Sequence, residues 1–191
     1  GVRKGDRVAL VLPNCPQFVY CFYGALKAGA VVVPTNPLYT VRELRQQLAD
    51  SGARAVVAMS KLYPQVAEAA EGTQVRDIVV TNVKEHFPLP LRLLFTLARE
   101  RKEGHRVDIS EDARAVWLRD LLRGAGTREL VRVEPSDLAV LQYTGGTTGT
   151  PKGAMLSHRA LMANVQQCRA WHTTIRPDDR ILAVMPSTCT A

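Results

Sequence analysis

Short apolar runs alternate with helical patterns along the first part of the chain. The runs are rich in Val, Ile, Leu and Ala and end at turn residues, which is typical of buried strands. The strand candidates are residues 6–12, 30–34, 55–58 and 78–80. Strands that alternate with helices predict parallel pairing with helices packed on the sheet faces. We therefore expect an α/β fold with a mostly parallel sheet.

Capping signals predict where the helices begin and end. Asn14 is the expected N-cap of the first helix, with Pro16 in its first turn and Gly29 at its end. Thr40 and Glu43 have the spacing of a capping box, a hydroxyl followed three residues later by a glutamate. A second helix is therefore expected to begin directly after Thr40 and to end near residues 51–52.

A basic amphipathic stretch, residues 87–102, interrupts this alternation. At helical pitch Arg92, Thr96, Arg99 and Glu103 share one narrow face, and the remaining positions are mostly apolar. The stretch is too short to cross a bilayer, but it could rest on an anionic membrane surface. We favour packing in the core or against a partner, with the basic stripe in solvent, because amphipathic helices are common in soluble proteins.

Three regions follow from these patterns. Residues 1–83 form an N-terminal α/β subdomain. Residues 84–134 form an insertion and connector that contains the basic amphipathic helix. Residues 135–191 begin a second α/β subdomain.

Composition and charge narrow the class of protein. The 191 residues are 46% hydrophobic and 23% charged, an ordinary globular balance, and the first residue is not Met, so the chain reads as part of something longer. The formal net charge is +7. Basic residues are interleaved with acidic ones and few aromatic residues stand among them, so we expect no nucleic-acid binding but a surface suited to anionic ligands or lipid headgroups.

The four cysteines do not predict a metal site or a disulfide framework. Cys15, Cys21, Cys168 and Cys189 form no CxxC pair, and no histidines cluster with them. Free thiols in a reducing compartment are the better interpretation. We expect a cytoplasmic protein, with peripheral contact to the inner membrane surface if the basic helix binds lipid.

The segment YTGGTTGTPKG, Tyr143 to Gly153, carries the candidate chemistry. Its glycines allow close backbone approach, so that successive N–H groups can surround an anion, and its threonines supply hydroxyls for phosphate oxygens or Mg²⁺. These residues are Gly145, Gly146, Gly149, Thr144, Thr147, Thr148 and Thr150. Pro151 stiffens the turn and Lys152 adds a compact positive charge. The segment therefore predicts a polyphosphate-binding loop.

The sequence around the loop differs from a Walker A motif, because Pro151 precedes Lys152 and Gly153 follows it. The loop is expected to join two strands, and the next helix to begin at His158 with Ser157 as its N-cap. The alternative is an exposed hairpin without a ligand. A hairpin without a ligand would need neither this density of glycine and threonine nor the terminal lysine, so we favour the phosphate-binding loop.

The segment LQYTGGTTGTPKGAMLSHRALMANVQQ resembles the phosphate loop of the adenylate-forming superfamily, which includes acyl-CoA synthetases, firefly luciferases and peptide-synthetase adenylation domains. The upstream GDRVALVLPNCPQFVYCFYGALKAGAVVVPTNPLYTVREL is similar to the N-terminal α/β subdomain of that family. The resemblance is greatest to bacterial long-chain fatty acid–CoA ligases, a branch that the segment VKEHFPLPLRLLF also fits.

The resemblance implies a two-step reaction. A fatty acid carboxylate attacks the α-phosphate of Mg·ATP to give an acyl-adenylate and pyrophosphate, and the thiolate of coenzyme A then displaces AMP. Tyr143 to Gly153 would hold the β- and γ-phosphates, with Lys152 as a phosphate contact and Thr144 as a candidate Mg²⁺ ligand. The loop would close over ATP.

The sequence departs from the family pattern after Pro186. The family continues with an aromatic-His-Val-aromatic-Gly segment, whereas this chain has Ser187 to Ala191, residues that a one-base shift of codons for Phe-His-Val-Tyr-Gly would encode. We therefore expect a frameshift there, with an unrelated tail as the alternative. The family's ribose-binding aspartate and C-terminal catalytic lysine have no counterpart in these residues, so no catalytic residue is assigned.

We expect the chain alone to lack ligase activity. Two other interpretations stay open: a fragment of an aryl or short-chain acid–CoA ligase, and a nucleotide-binding remnant without catalysis.

Overall fold

The computed structural model describes residues 1–124, 131–144, 152–174, 176 and 178–180. The strands are β1 (Arg7–Val11), β2 (Val31–Pro34), β3 (Ala53–Met59), β4 (Asp77–Thr81), β5 (Ala115–Trp117), β6 (Leu138–Thr144) and β7 (Lys152–Ser157). The helices are α1 (Pro16–Lys27), α2 (Val41–Ser51), α3 (Tyr63–Ala70), α4 (Leu89–Ala98), α5 (Leu118–Arg123) and α6 (His158–Trp171).

The strands form one seven-stranded sheet in the order β5-β4-β3-β1-β2-β6-β7. Neighbouring strands are parallel except for the antiparallel pair β6 and β7. This arrangement confirms the predicted α/β fold with a mostly parallel sheet flanked by helices. Strands from all three predicted regions, 1–83, 84–134 and 135–191, enter the same sheet, and the division into those regions stays a prediction.

The core lies on both faces of this sheet. On one face Ala9 and Val11 of β1 pack with Leu44 and Leu48 of α2. On the other face Val8 and Leu10 of the same strand pack with Phe18 of α1. Successive side chains of a strand point to opposite faces, so burial on both faces requires the continuous apolar runs seen in the sequence.

The predicted capping box is present at the start of α2. The Glu43 backbone N–H donates to the Thr40 hydroxyl at 3.4 Å, and the Thr40 backbone N–H donates to the Glu43 carboxylate at 2.8 Å. The helix ends at Gly52, whose φ of +60° is left-handed. A Cβ added to Gly52 would lie 2.5 Å from Nη2 of Arg7, the mobile end of a long side chain, so the left-handed backbone rather than space favours glycine there.

The prediction that Asn14 caps α1 is wrong. Cys15 is the N-cap, without a side-chain hydrogen bond to the helix, and Pro16 is the first helical residue. Proline favours the first helical position because its missing N–H would have no partner there, and this preference moves the cap one residue later. Gly29 has a φ of +73° and follows the C-cap Ala28, close to the predicted end.

The basic amphipathic helix was expected to pack in the core or against a partner; the described chain does not bury it as a core helix, and packing against a partner stays a prediction. In α4 Phe95 is buried, whereas the helix exposes five leucines to solvent. Those leucines are Leu89, Leu91, Leu93, Leu94 and Leu97. The apolar pattern predicted a helix correctly, but within the described chain Phe95 is its buried side chain and these leucines are mostly exposed. Among the described residues no helix is long and apolar enough to span a membrane.

The sequence pattern missed β5 and α5, which were treated as part of a connector. The three residues of β5 pair in parallel with β4 and form one edge of the sheet. A strand this short has too few positions to display an alternating pattern.

Candidate functional site

The glycine- and threonine-rich loop connects the two strands of an antiparallel hairpin, as predicted. In the register of β6 and β7, Tyr143 lies opposite Gly153 and Thr144 lies opposite Lys152. Because β6 runs parallel to β2, the chain enters the loop at the edge of the sheet where the parallel strands have their carboxyl ends. Ligands of open α/β sheets bind at this edge.

Most of the predicted loop residues lie outside the described residues. They are Gly145, Gly146, Thr147, Thr148, Gly149, Thr150 and Pro151. The structure therefore describes the base of the candidate site, which consists of Tyr143 and Thr144 on one strand and Lys152 and Gly153 on the other.

Thr144 and Lys152 stand on either side of the loop, and both are exposed. The Thr144 hydroxyl is 3.5 Å from the carbonyl oxygen of Lys152, to which it donates a hydrogen bond. The Lys152 side chain is exposed, so its ammonium is accessible to an anion in solvent. This pair combines a hydroxyl oxygen with a point charge, a donor set that fits the phosphates of a magnesium nucleotide.

The described residues contain no group of three or more His, Cys, Asp or Glu side chains that could hold a metal ion by themselves. Mg²⁺ in nucleotide sites keeps several water ligands and binds through substrate phosphates and only one or two protein oxygens. The exposed hydroxyl of Thr144 fits such a limited contribution, so the residues present are compatible with Mg²⁺ brought in by a nucleotide.

Tyr143 has different surroundings from Thr144 and Lys152, which are exposed. Its side chain is buried, and its hydroxyl donates a hydrogen bond to the carboxylate of Asp50 in α2. Burial raises the pKa of Tyr143, and the hydrogen bond to Asp50 and the negative charge of that carboxylate raise it further. The phenol therefore stays protonated and continues to donate. Its side chain holds the hairpin against α2, and a contact to phosphate by this residue stays a prediction.

Gly153 completes this attachment because it leaves room for the aromatic ring. A Cβ added at Gly153 would lie 3.2 Å from Cζ and 3.3 Å from Cε2 of Tyr143. The ring therefore packs across the opposite strand at its closest point.

Asp50 is the part of the site that sequence reasoning missed. It lies 93 positions before Tyr143 and belongs to a helix in a different predicted region. No local pattern distinguishes it from other acidic residues on the surface of a helix. Only the pairing of β6 with β2, beside which α2 packs, brings the two together.

The ends of the hairpin are fixed by Asp137 and Ser157. The Asp137 carboxylate forms an ion pair with Lys4 at 2.7 Å, and the hydrogen bond from Lys4 lowers the pKa of Asp137. The Ser157 hydroxyl accepts from the Ala160 backbone N–H at 3.2 Å and caps α6, which begins at His158. Both the predicted cap and the predicted start of this helix are confirmed.

Comparison with known proteins agrees with this geometry. The chain combines an α/β sheet with a β-hairpin at the carboxyl ends of its parallel strands, and a glycine- and threonine-rich sequence joins the two strands of that hairpin. The sequence profile of the family described as AMP-binding enzyme matches residues 1–191. The chain belongs to this family.

Relatives of this chain include acid–CoA ligases. A long-chain-fatty-acid–CoA ligase of Bacillus subtilis (strain 168) is 39% identical over 190 residues, which cover 97% of this chain and 34% of the relative. A 4-coumarate–CoA ligase of Oryza sativa subsp. japonica is 34% identical over 190 residues, or 97% of this chain and 29% of the relative. The chain thus spans about a third of the length of these relatives.

A solved structure has the same fold. The long-chain-fatty-acid–CoA ligase of Archaeoglobus fulgidus superposes with a TM-score of 0.74 at 31% identity, covering 97% of this chain and 31% of that protein. The family resemblance stated from the loop and the upstream α/β region is therefore confirmed.

Proposed function

We propose that this chain supplies the ATP-phosphate-binding part of a long-chain fatty acid–CoA ligase. The observation that carries the proposal is the hairpin, in which exposed Thr144 and Lys152 flank the loop at the carboxyl edge of the sheet. The identity of 39% to the Bacillus subtilis ligase, against 34% to the plant 4-coumarate ligase, supports a fatty acid as the substrate.

In the proposed reaction the fatty acid carboxylate attacks the α-phosphate of ATP, and pyrophosphate leaves. Coenzyme A then attacks the acyl-adenylate, forms the thioester and releases AMP. Bound Mg²⁺ would neutralise charge on the triphosphate. Lys152 and the loop hydroxyls would hold the β- and γ-phosphates, so that the negative charge that develops on the leaving pyrophosphate is stabilised in place.

An acid panel tests the substrate class. A longer protein in which this chain takes the place of the matching third of a relative such as the Bacillus subtilis long-chain-fatty-acid–CoA ligase is assayed for acid-dependent exchange of pyrophosphate into ATP with palmitate, 4-coumarate and acetate at equal concentrations. We expect the highest kcat/KM with palmitate. A higher value with 4-coumarate or acetate would replace the fatty acid assignment with the aryl or short-chain alternative.

We further propose that the 191-residue chain has no ligase activity by itself, because it spans about a third of its relatives. The chain alone is expected to form no acyl-CoA from palmitate, ATP and coenzyme A under conditions in which the longer protein does. ATP binding without pyrophosphate exchange in the longer protein would favour a nucleotide-binding module over an enzyme.

A further inference from the structure

The last turns of α2 contact the carboxyl ends of two neighbouring strands. Gln47 and Asp50 are three residues apart and therefore lie on the same side of the helix. The Gln47 amide donates to the carbonyl oxygen of Pro34 at 3.4 Å and to the hydroxyl of Thr35 at 3.2 Å, at the end of β2. The Asp50 carboxylate accepts a hydrogen bond from the Tyr143 hydroxyl, near the end of β6. One helix thus holds the ends of β2 and β6 together.

The end of β6 extends past the end of β2. In the parallel register of these strands Val32 lies opposite Val140, and β2 ends two residues later at Pro34, whereas β6 continues for four residues to Thr144. The rise per residue is nearly the same in both strands, so the last two residues of β6 lie beyond β2. Their position therefore depends on β7 and on side-chain contacts such as the one to Asp50.

The stability of α2 does not account for an acidic residue at position 50. Asp50 is the last residue but one of the helix, where the partial negative charge of the helix end disfavours a carboxylate. The last turn contains no basic residue, and Asp50 belongs to none of the ion pairs among the described residues. The Tyr143 hydroxyl supplies the contact that accounts for this carboxylate.

A short series of contacts connects Asp50 with the residues that flank the loop. The Tyr143 ring, held by Asp50, packs across Gly153 on the opposite strand, where an added Cβ would lie 3.2 Å from Cζ of the ring. The next pair toward the loop is Thr144 and Lys152, joined by the 3.5 Å hydrogen bond from the hydroxyl to the carbonyl oxygen. A shift of the ring would therefore move both strands at the point where they enter the loop.

We propose that Asp50 is a positioning residue for phosphate binding. It holds the Tyr143 hydroxyl and thereby fixes Thr144 and Lys152 in the geometry that receives the phosphates of ATP. The inference rests on the proposed function and adds to it a residue from outside the loop. Because Asp50 acts through another side chain, its loss loosens the site without removing a phosphate contact, and a site loosened in this way binds its ligand less tightly.

The test uses the longer protein in which this chain replaces the matching third of the Bacillus subtilis ligase. The Kd of MgATP is measured by titration calorimetry without fatty acid. We expect Asp50→Ala and Tyr143→Phe each to raise the Kd roughly fivefold, because each removes the same hydrogen bond. The combined variant should be no weaker than either single variant. Asp50→Asn, which keeps an acceptor oxygen, should retain most of the affinity.

A kinetic measurement separates positioning from a general loss of stability. In palmitate-dependent exchange of pyrophosphate into ATP, Asp50→Ala should raise the KM for ATP by the same factor and leave the KM for palmitate unchanged. Partial unfolding would instead lower the apparent kcat and leave both KM values as they are. Glu68→Ala is the matched control, because it removes one exposed carboxylate from α3, the neighbour of α2, and should keep the wild-type Kd. Circular dichroism checks that each variant is folded.

Each other outcome overturns the inference or the function on which it rests. A wild-type Kd in Asp50→Ala, or additive effects of Asp50→Ala and Tyr143→Phe, would overturn the positioning role. Asp50→Asn as weak as Asp50→Ala would assign the effect to the charge of Asp50, for example on Mg²⁺, and not to the hydrogen bond. If the unsubstituted protein binds MgATP without exchange, the proposed ligase function fails, and the Kd values still decide the role of Asp50. Absence of MgATP binding contradicts both.

Discussion

At the scale of single residues, Tyr143 connects the candidate site to the rest of the sheet. Its hydroxyl reaches Asp50 on α2, and its ring fills the space that Gly153 leaves open. The residue thus has two contacts that hold the hairpin in position, and both can be removed separately.

Replacing Tyr143 by Phe removes the hydrogen bond to Asp50 and keeps the ring. We expect the free energy of unfolding to fall by about 1 kcal/mol, at the low end for a hydrogen bond to a charged group because Asp50 is exposed. The measurement is urea denaturation followed by circular dichroism. Tyr23→Phe is the matched control, since Tyr23 is 59% exposed. Equal stability of the two variants would show that the bond to Asp50 contributes nothing.

Predictions for single residues were correct where the sequence pattern lies within a few neighbouring residues. The capping pair Thr40 and Glu43, and the cap Ser157, are recognised by spacing alone, and the structure has them. Asn14 failed because the neighbouring Pro16 determines where α1 begins. Asp50 could not be found, because its partner depends on how distant strands are ordered.

At the scale of elements, the connection around α4 is attached to the sheet by a small polar cluster. Glu100 is 7% exposed and contacts both Lys84 and Asn82. The Asn82 amide also donates to the carbonyl oxygen of His105 at 3.2 Å. These contacts join the end of β4 to both ends of the segment that follows α4.

Replacing Glu100 by Ala leaves the ammonium of Lys84 partly buried without its carboxylate. We expect a loss of about 2–4 kcal/mol in the free energy of unfolding, as is usual when one partner of a buried ion pair is removed. Glu103→Ala is the control, because its ion pair with Arg99 is exposed and contributes about 0.5 kcal/mol or less. The measurement is the free energy of unfolding of both variants by chemical denaturation. A Glu100 variant as stable as the Glu103 variant would contradict the anchoring role.

His105 is expected to make this region sensitive to acid. Burial lowers the pKa of His105, and the positive charge of Lys61 lowers it further, against the opposing charges of Glu103 and Glu100. The Ser60 hydroxyl lies 3.2 Å from its Nδ1. Because the unfolded chain binds the proton more readily, with a pKa of about 6.5, stability is lost as the pH falls below that value and is unaffected above it.

The measurement is the free energy of unfolding at pH 7.5 and pH 5.5 for wild type and His105→Gln. We expect a smaller difference between the two pH values in the variant. His172→Gln, which changes an exposed histidine, should retain the wild-type difference. The same pH dependence in all three proteins would contradict the assignment to His105.

For the elements that the sequence predicted, the assignment as helix or strand was reliable, whereas the prediction of what packs against each element was weaker. The four strands predicted in residues 1–83 and the hairpin with its following helix are all present. The periodicity of α4 predicted a helix with an apolar side, but periodicity cannot reveal whether another element covers that side. This helix, which its amphipathic pattern led us to expect in the core or against a partner, buries Phe95 and exposes its leucines within the described chain.

At the scale of the whole molecule, the order of the strands within the sheet could not be predicted from the sequence. Alternating strands and helices predicted parallel pairing, yet the placement of β6 beside β2 depends on packing of residues far apart in the chain. That placement brings the hairpin to the carboxyl edge of the sheet and its Tyr143 to α2. It also leaves β7 at the edge of the described sheet, with Met155 72% exposed and Trp171 84% exposed nearby in sequence.

The most direct test of the central claim joins this chain to the remaining two thirds of the Bacillus subtilis relative and measures palmitate-dependent exchange of pyrophosphate into ATP. We predict exchange that Lys152→Ala lowers by roughly tenfold to a hundredfold, because a charge that holds the phosphates is lost. Lys27→Ala, which changes an exposed lysine at the end of α1, should leave exchange unchanged. Equal exchange by the Lys152 and Lys27 variants would contradict the phosphate-binding role of the hairpin.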